Sequence, residues 1–499
     1  MIPFGEFAPD QPSLDSGGLY SQVAKNCIPR TKGSYGPLGA QTALTNAITA
    51  QCQGAGAFRA NDGAVFSFAG DVNNLYLLST ATYSAVSKST DAYATASDDS
   101  WEFIRFGNRV IACNGHTDNI QSFTMGTSSA FADLAAAAPR ARHLAQIRDF
   151  VFCGNTFDGV DGAVANRVRW SAINNATDWP TVGSTDAASK QSDQQDLPSG
   201  GWVQAITGAV GGTDGVVFMD GAVYRIVYES PPTVFGFYEV ERARGTIAPN
   251  SVVNVGDFCF YLSTDGFYVF SGQDSKQIGS QKIDKTFFSR FNQEYPHLVF
   301  GAADAINKVV MWVYPSSSTA NADRAVLYNW DLNEWSEAEF NSQILFRDLT
   351  QGFTLEGLDA ISDNIENLGY SLDSRIWTGG RDVLATFDTD NKNATFSGNN
   401  LAATFESQEI GGDTRIMVDA VRPYIDASAN SAMSVKMKYR NDTGGSVTTT
   451  SASTLDTNGE AHFTDVNARY VRAEVTVAAD ATWNHAQGID ATYVAEGGS

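Results

Sequence analysis

The stretch "GDFCFYLSTDGFYVFSG", Gly256 to Gly272, decides how the chain is read. Its two apolar runs, Phe258 to Leu262 and Phe267 to Phe270, have the length of strands and are rich in aromatic residues, which fit a pleated, buried surface. Between them Ser-Thr-Asp-Gly places Asp265 and Gly266, residues that tolerate the positive φ of a tight hairpin turn. The pattern is not unique to this segment. It recurs in "FGNRVIACNGHTDNIQSF" (106–123), where Asn114 and Gly115 follow the first run, and in "IRDFVFCGNTFDG" (147–159). It recurs again in "TDGVVFMDGAVYRIVYE" (213–229), with its turn at Asp220 and Gly221, and, around a longer turn, in 307–337. An earlier copy stands at 58–79.

The copies start roughly every 40 to 50 residues, the length of a four-stranded propeller blade. That period predicts an all-β chain with a β-propeller-like body of about six blades. The body spans 54–384. The interval between the third and fourth copies is longer; Arg167 to Ser171 reads as strand, and the polar remainder, 181–200, as a mobile loop. Helical pattern is scarce. The Ala-rich stretches 39–50 and 131–146 carry no long amphipathic stripe, and Pro139 interrupts the second. In the first 53 residues Pro9, Pro12, Pro29 and Pro37 alternate with glycines, as an extended, turn-rich segment does. Such a segment can run over the propeller or reach a neighbouring subunit. After about residue 385 the texture changes to Thr/Ser/Ala/Asn-rich strands, which reads as a smaller C-terminal β domain, 385–499, a sandwich in the simplest case.

The totals set limits. The 499 residues exceed one ordinary compact core, and 30 Phe, 18 Tyr and 9 Trp supply ample core material. Lys and Arg number 33 against 56 Asp and Glu, a net charge of −23, which argues against a grip on duplex DNA through phosphate neutralisation. Solubility or adaptation to a salty environment yields the same excess. The start, "MIPFGEFAPDQPSL", lacks a basic region followed by an apolar one, and no apolar run is long enough to span a bilayer as a helix, so a soluble chain without membrane insertion is expected. The five cysteines, Cys27, Cys52, Cys113, Cys153 and Cys259, form no CxxC pair. Cys113, Cys153 and Met219 occupy one position of the repeated strand-turn unit, where a sulfur serves as a small hydrophobe. All five thiols are expected to be reduced.

Three segments carry a resemblance. "PFGEFAPDQPSLDSGGLYSQVAKNCIPRTKGSYGPL" (Pro3 to Leu38), "RVRWSAINNATDWP" (Arg167 to Pro180) and "RGTIAPNSVVNVGDFCFYLSTDGFYVFSG" (Arg244 to Gly272), in this order and spacing, resemble the packaged-DNA stabilisation, or tail hub and nozzle, proteins of short-tailed bacteriophages (podoviruses). The resemblance is spread over most of residues 1–380, is closest in the third segment, and leaves the C-terminal domain unmatched. It implies a structural virion protein of the tail, assembled in the host cytoplasm as a ring, a homohexamer, below the portal and adaptor. Such a ring closes the DNA channel after packaging and conducts the genome at ejection. The implied partners are copies of this chain, portal, adaptor and other tail proteins, and genomic DNA passing through the lumen without specific binding.

The same residues have plainer readings. Trp170 and Trp179 flank an Asn/Asp turn and pack as core anchors, and Gly245 and Pro249 make a turn before a strand. Chemical signatures are missing: there is no GxxxxGK[ST], no HExxH among His116, His143, His297, His462 and His485, and no GxSxG. "STDG" at 263–266 superficially resembles the Asp box of sialidases but lacks the spacer between Asp and Gly. No catalytic residue, cofactor or metal ligand is assigned, and no enzyme is expected. The alternative to a tail ring is a glycan- or receptor-binding propeller, because exposed Trp and Tyr beside Asp and Asn also make sugar sites; a hub forms a ring, whereas a lectin can act as a monomer.

Overall fold

A computed structural model describes residues 1–14, 19–89, 92–316, 321–352 and 379–495. Six antiparallel four-stranded sheets follow one another as blades, over residues 54–85, 102–133, 140–196, 203–242, 253–277 and, last, 344–395. A further four-stranded meander, Phe300–Asp304, Val309–Pro315, Ala322–Asn329 and Glu334–Ser342, stands in the ring between the fifth blade and the last. The innermost strands touch in succession from Gly54–Arg59 through Glu102–Phe106 and Arg140–Ile147 to Val203–Thr207; the short 3-10 turn Pro249–Ser251, leading into the fifth blade, bridges Val203–Thr207 to Phe300–Asp304, which touches Ile344–Leu349, and the last returns to the first. This is a closed β-propeller.

Blade strands are covered on both faces by the neighbouring blades, so they read as continuous apolar runs instead of alternating ones. Val309–Pro315 is buried at every position. Between the first two blades lie Phe68, Val110, Phe123 and Phe131; between the second and third, Cys113, Leu144, Cys153 and Trp179; between the third and fourth, Phe152, Trp170, Met219 and Phe235. Cys259 sits between the fourth and fifth with Phe218, Tyr261 and Phe270. All five cysteines are free and buried.

The last blade is completed from far away. Its outer strand is Thr42–Ala43, paired with Asn393–Thr395, so the N-terminal segment fastens the ring. The limit drawn at residue 384 therefore falls within Asp382–Phe387, a strand of this blade. The segment 181–200, expected as a mobile loop, is folded down. It holds helix α1, Thr185–Lys190, whose N-cap Ser184 accepts from the Ala187 amide at 3.0 Å, and Gln194–Asp196, the outer strand of the third blade. Of the Ala-rich stretch 131–146, Ala132–Asp133 and Arg140–Ile147 are strands.

The C-terminal strands make a β-sheet continuous with the meander at 300–342. From Glu334–Ser342 the sheet passes through Ala24–Lys25, Ala403–Glu406, Ala461–Val477, Ile410–Ile425 and Ala486–Ala495 to Ser34–Pro37 and Cys27–Thr31. Here one face is buried and the period is two: Val471, Ala473, Val475 and Val477 point inward while the residues between them do not. Phe4 stacks on Phe405 with centroids 5.0 Å apart, and Tyr35 donates to the Gly5 carbonyl at 2.9 Å, which ties the first residues into this core. Buried Glu406 pairs with Arg472 and with Lys438 at 2.9 Å, and buried Glu409 with Arg440 at 2.5 Å. Among the described residues no helix is long and apolar enough to cross a membrane.

Candidate functional site

A propeller offers its axis first. The inner strands enclose a cavity of about 280 Å³ to which nearly every blade contributes, through Phe103, Leu144, Ile206, Pro249, Phe300 and Phe346 among others. Glu102 is the carboxylate in its wall, and its oxygens are already used: one meets His143 Nδ1 at 2.7 Å and the other accepts from the Leu144 amide at 2.8 Å. At one mouth a second cavity, about 290 Å³, lies between Asp99 and His297. Burial raises the Asp99 carboxyl above its ordinary range and lowers the His297 imidazole below its own, so both are shifted toward their neutral forms. The axial cavity is small and mixed in character, with Phe103, Phe300 and Phe346 beside Glu102, Asn250 and Asn254. A duplex whose major groove alone is ~12 Å wide cannot enter it.

The six turn residues singled out in the sequence lie apart from one another, in three blades. Asn114 is buried and donates through Nδ2 to Thr95 Oγ1 at 2.9 Å and Asp118 Oδ2 at 3.0 Å; Gly115 has φ +97°, and a Cβ on it would fall 2.3 Å from Asp99 Oδ2. Asp220 and Gly221 form a two-residue turn in the fourth blade. The Asp220 carboxylate accepts from the Trp202 amide at 2.7 Å and from Gln204 Nε2 at 2.6 Å. Asp265 turns the hairpin of the fifth blade, and Gly266 is the first residue of its second strand, opposite Ser263.

Gly266 explains a group that the sequence reading passed over. The Asp284 carboxyl, 5% exposed at the start of helix α2 (Asp284–Arg290), rests against this turn, and a Cβ on Gly266 or Gly279 would lie 2.3 or 2.0 Å from its oxygens. It accepts from the Phe267 amide at 3.1 Å and from Gln277 Nε2 at 2.8 Å. Burial pushes it up to about 7, with Asp10 and Asp265 adding to the rise. Asp10 in turn caps α2, accepting from the Lys285 and Thr286 amides at 2.8 Å each. The Asp-x-Pro opening and the "STDG" turn are thus parts of one polar joint between the N-terminal segment and the fifth blade.

Trp170 and Trp179 are both buried. Trp170 lies among Phe152 and Phe235 and donates from Nε1 to the Gln191 carbonyl at 2.9 Å, holding the end of α1. Close approach requires Gly245, since a Cβ there would stand 1.8 Å from the Met219 carbonyl oxygen. Among the described residues no three His, Cys, Asp or Glu side chains converge as a metal site.

No family model and no curated protein sequence matches the chain. Solved structures do. The WD40 domain of Neurospora crassa Pan2 is similar at a TM-score of 0.38 and 8% identity, over 71% of this chain and 94% of that one. Two extracellular domains from B. thetaiotaomicron, ascribed to a one-component and to a hybrid two-component system, are similar at TM-scores of 0.40 and 0.42 and identities of 10% and 11%. They cover 85% and 89% of this chain but 46% and 47% of their own lengths, so the chain spans about half of each. None of the three bears on what this chain does.

Proposed function

We propose that this chain is a structural subunit of a short-tailed bacteriophage tail, forming a homohexameric hub or nozzle ring below portal and adaptor. The ring retains the packaged genome and conducts it at ejection, without catalysing a reaction. The observation that carries the reading is where the resembling segments lie. Phe4, Phe7 and Tyr35 of the first and Phe260, Leu262 and Phe267 of the third, more than two hundred residues apart, belong to one hydrophobic core. Two of the three segments that resemble the family are thus packed together, as parts of a shared architecture are.

The narrow propeller axis restricts the mechanism. A passage for DNA must run between subunits, along the axis of the ring. The net charge of −23 suits such a passage, because each Lys–phosphate contact would release counterions and hold the polyanion in place. Carboxylates on the lumen wall would repel phosphate over roughly a Debye length, ~8 Å at physiological salt, and keep the duplex centred.

Electron microscopy of the purified protein, alone and mixed with a portal–adaptor assembly, tests the proposal. A six-fold ring with a central hole, added below the adaptor, is the expected result. A chain that stays monomeric at high concentration and never joins the adaptor would overturn it, and one that also binds a glycan would belong to the alternative class.

A further inference from the structure

A cavity of about 550 Å³ lies off the propeller axis, between the second and third blades. Its rim is made by three connections on one face of the propeller: the one before Gln121–Thr124, the Ala136–Ala138 link between the blades, and the turn Gly159–Asp161. The size suits one or two sugar rings or a comparable small molecule.

Two guanidinium groups in its wall are unusual for so acidic a chain. Arg169 is 8% exposed, and its Nε has no hydrogen-bond partner; among the described residues its one hydrogen bond is a long one, from Nη2 to the Pro180 carbonyl at 3.4 Å. Its guanidinium stands 5.9 Å from the centre of the Trp179 ring. Arg140 lies 5.5 Å over the Phe157 ring and donates to Asn119 Oδ1 at 3.3 Å and the His116 carbonyl at 3.1 Å. Neither makes an ion pair among the described residues, whereas the adjacent Arg167 has its carboxylates, Asp161 at 2.5 Å and Asp196 at 2.6 Å. Burial is costly for a cation and lowers the affinity of Arg169 for its proton; Asp158 offsets this in part through space but makes no ion pair with it. A guanidinium without a carboxylate in hydrogen-bond contact, beside an open cavity, is a group waiting for an anion.

We propose that this cavity binds a carboxylated sugar, a uronic or sialic acid unit, with its carboxylate on Arg169 and Arg140. Guanidinium groups take carboxylates in bidentate geometry. Gln194 in the same wall offers its amide group to the hydroxyls. Asp158 and Asp161 in the same wall set the charge of the ligand. They oppose a dianion such as phosphate more than a monoanion, and they accept from hydroxyls. The site is independent of ring assembly.

Ligand-observed saturation-transfer NMR on the full chain tests it, with glucuronate, N-acetylneuraminate, glucose and inorganic phosphate as probes. The two acidic sugars should bind with a dissociation constant on the order of 1 mM, and glucose and phosphate not at the same concentration. Arg169→Gln should weaken binding about tenfold or more, the loss of a charged hydrogen-bonded pair. Because Arg169 is buried and that variant can fail to fold, two further variants accompany it. Val160→Trp at the 93% exposed tip of the rim should abolish the signal while leaving the melting temperature unchanged, and Arg140→Gln, which also gives up bonds to Asn119 and the His116 carbonyl, should abolish it in a chain that still folds. The proposal is overturned if neither acidic sugar binds the wild-type chain, if glucose or phosphate binds equally well, or if the folded variants bind as the wild type does.

Discussion

Asp284→Asn isolates the joint between the N-terminal segment and the fifth blade, and its effect can be worked from the structure. The carboxyl is held near 7 instead of its ordinary 3.8 because it is buried against the Gly266 turn. Above about pH 4 the unfolded chain has released this proton while the folded chain keeps it until about pH 7. The folded state therefore binds the extra proton through that window, and stability falls as pH rises through it, by about 1.4 kcal/mol per pH unit. The contribution is fully present below pH 4 and gone above pH 7, a span of about 4 kcal/mol. Asparagine cannot ionise, and its oxygen can still accept from the Phe267 amide. Relative to wild type the variant should gain about 4 kcal/mol between pH 4 and pH 7, whatever its cost at acidic pH. Denaturant unfolding read by tryptophan fluorescence is a suitable assay, because Phe267 packs 4.8 Å from Trp312 and 5.3 Å from Trp335. Taking the difference between variant and wild type at each pH removes the opposite slopes of carboxylates such as Asp118, which hydrogen bonds hold below the usual range. Stability curves that run parallel from pH 4 to pH 8 would refute the reasoning.

The other expectations follow from packing. Thiol titration should find five reactive cysteines in denaturant and essentially none in the native protein, since all five are buried and burial raises the Cys259 thiol well above its ordinary value. Trp170→Ala removes a ring stacked on Phe152 and met edge-on by Phe235, and should cost about 3–5 kcal/mol in urea unfolding. Gly154→Val forces side-chain carbons toward Ile206 Cδ1, which a single Cβ would already approach to 2.5 Å, and should cost about 1–3 kcal/mol by the same measurement. Trypsin should spare Lys190 in the native protein, because its amine is held by Asp178 at 2.8 Å and Asp186 at 2.9 Å and the chain beyond it pairs with the third blade; rapid cleavage there would contradict the folded loop.

What could be read from the sequence was what is local. A strand covered on both faces, such as "VVFM" before Asp220, leaves an apolar run and a turn, and the blade period is the spacing of such runs. The outer strands are less legible. Gln194–Asp196 carries no hydrophobic signal because it needs none: it is the blade's edge, tied by backbone pairing to Arg167–Arg169. From sequence alone the polar segment 181–200 accordingly reads as a mobile loop. Thr42–Ala43 is two exposed residues whose place in the last blade is fixed only by a partner some three hundred and fifty residues away, and no local pattern announces that. The change of texture near residue 385 is real, but it marks the shift from strands buried on two faces to strands buried on one. The last blade ends ten residues later. Asp284 was invisible for another reason: an acid opening a short helix looks like an ordinary first-turn residue until the glycine turn that receives it is brought alongside.

The acidity gains meaning once the inside and the outside are separated. The cations of the large sheet, Lys438, Arg440 and Arg472, are spent on the buried carboxylates Glu406 and Glu409, and Arg167 on Asp161 and Asp196. Such pairs are locally neutral and add little to the field outside. The charge that acts on the surroundings is then carried by exposed carboxylates such as Asp62, Asp257 and Asp274. Screening confines its reach to roughly 8 Å at physiological salt, so it acts on a phosphate backbone only when the wall is close. A single propeller whose axis is too narrow for a duplex has no such wall. Subunits arranged around a narrow hole do, and the charge that is mere solubility for one chain would then become a lining that a polyanion passes without holding. Lysine and arginine substitutions on lumen-facing positions should accordingly leave the ring assembled and slow the passage of DNA, more so at low salt, whereas the same substitutions on the outer wall should do neither.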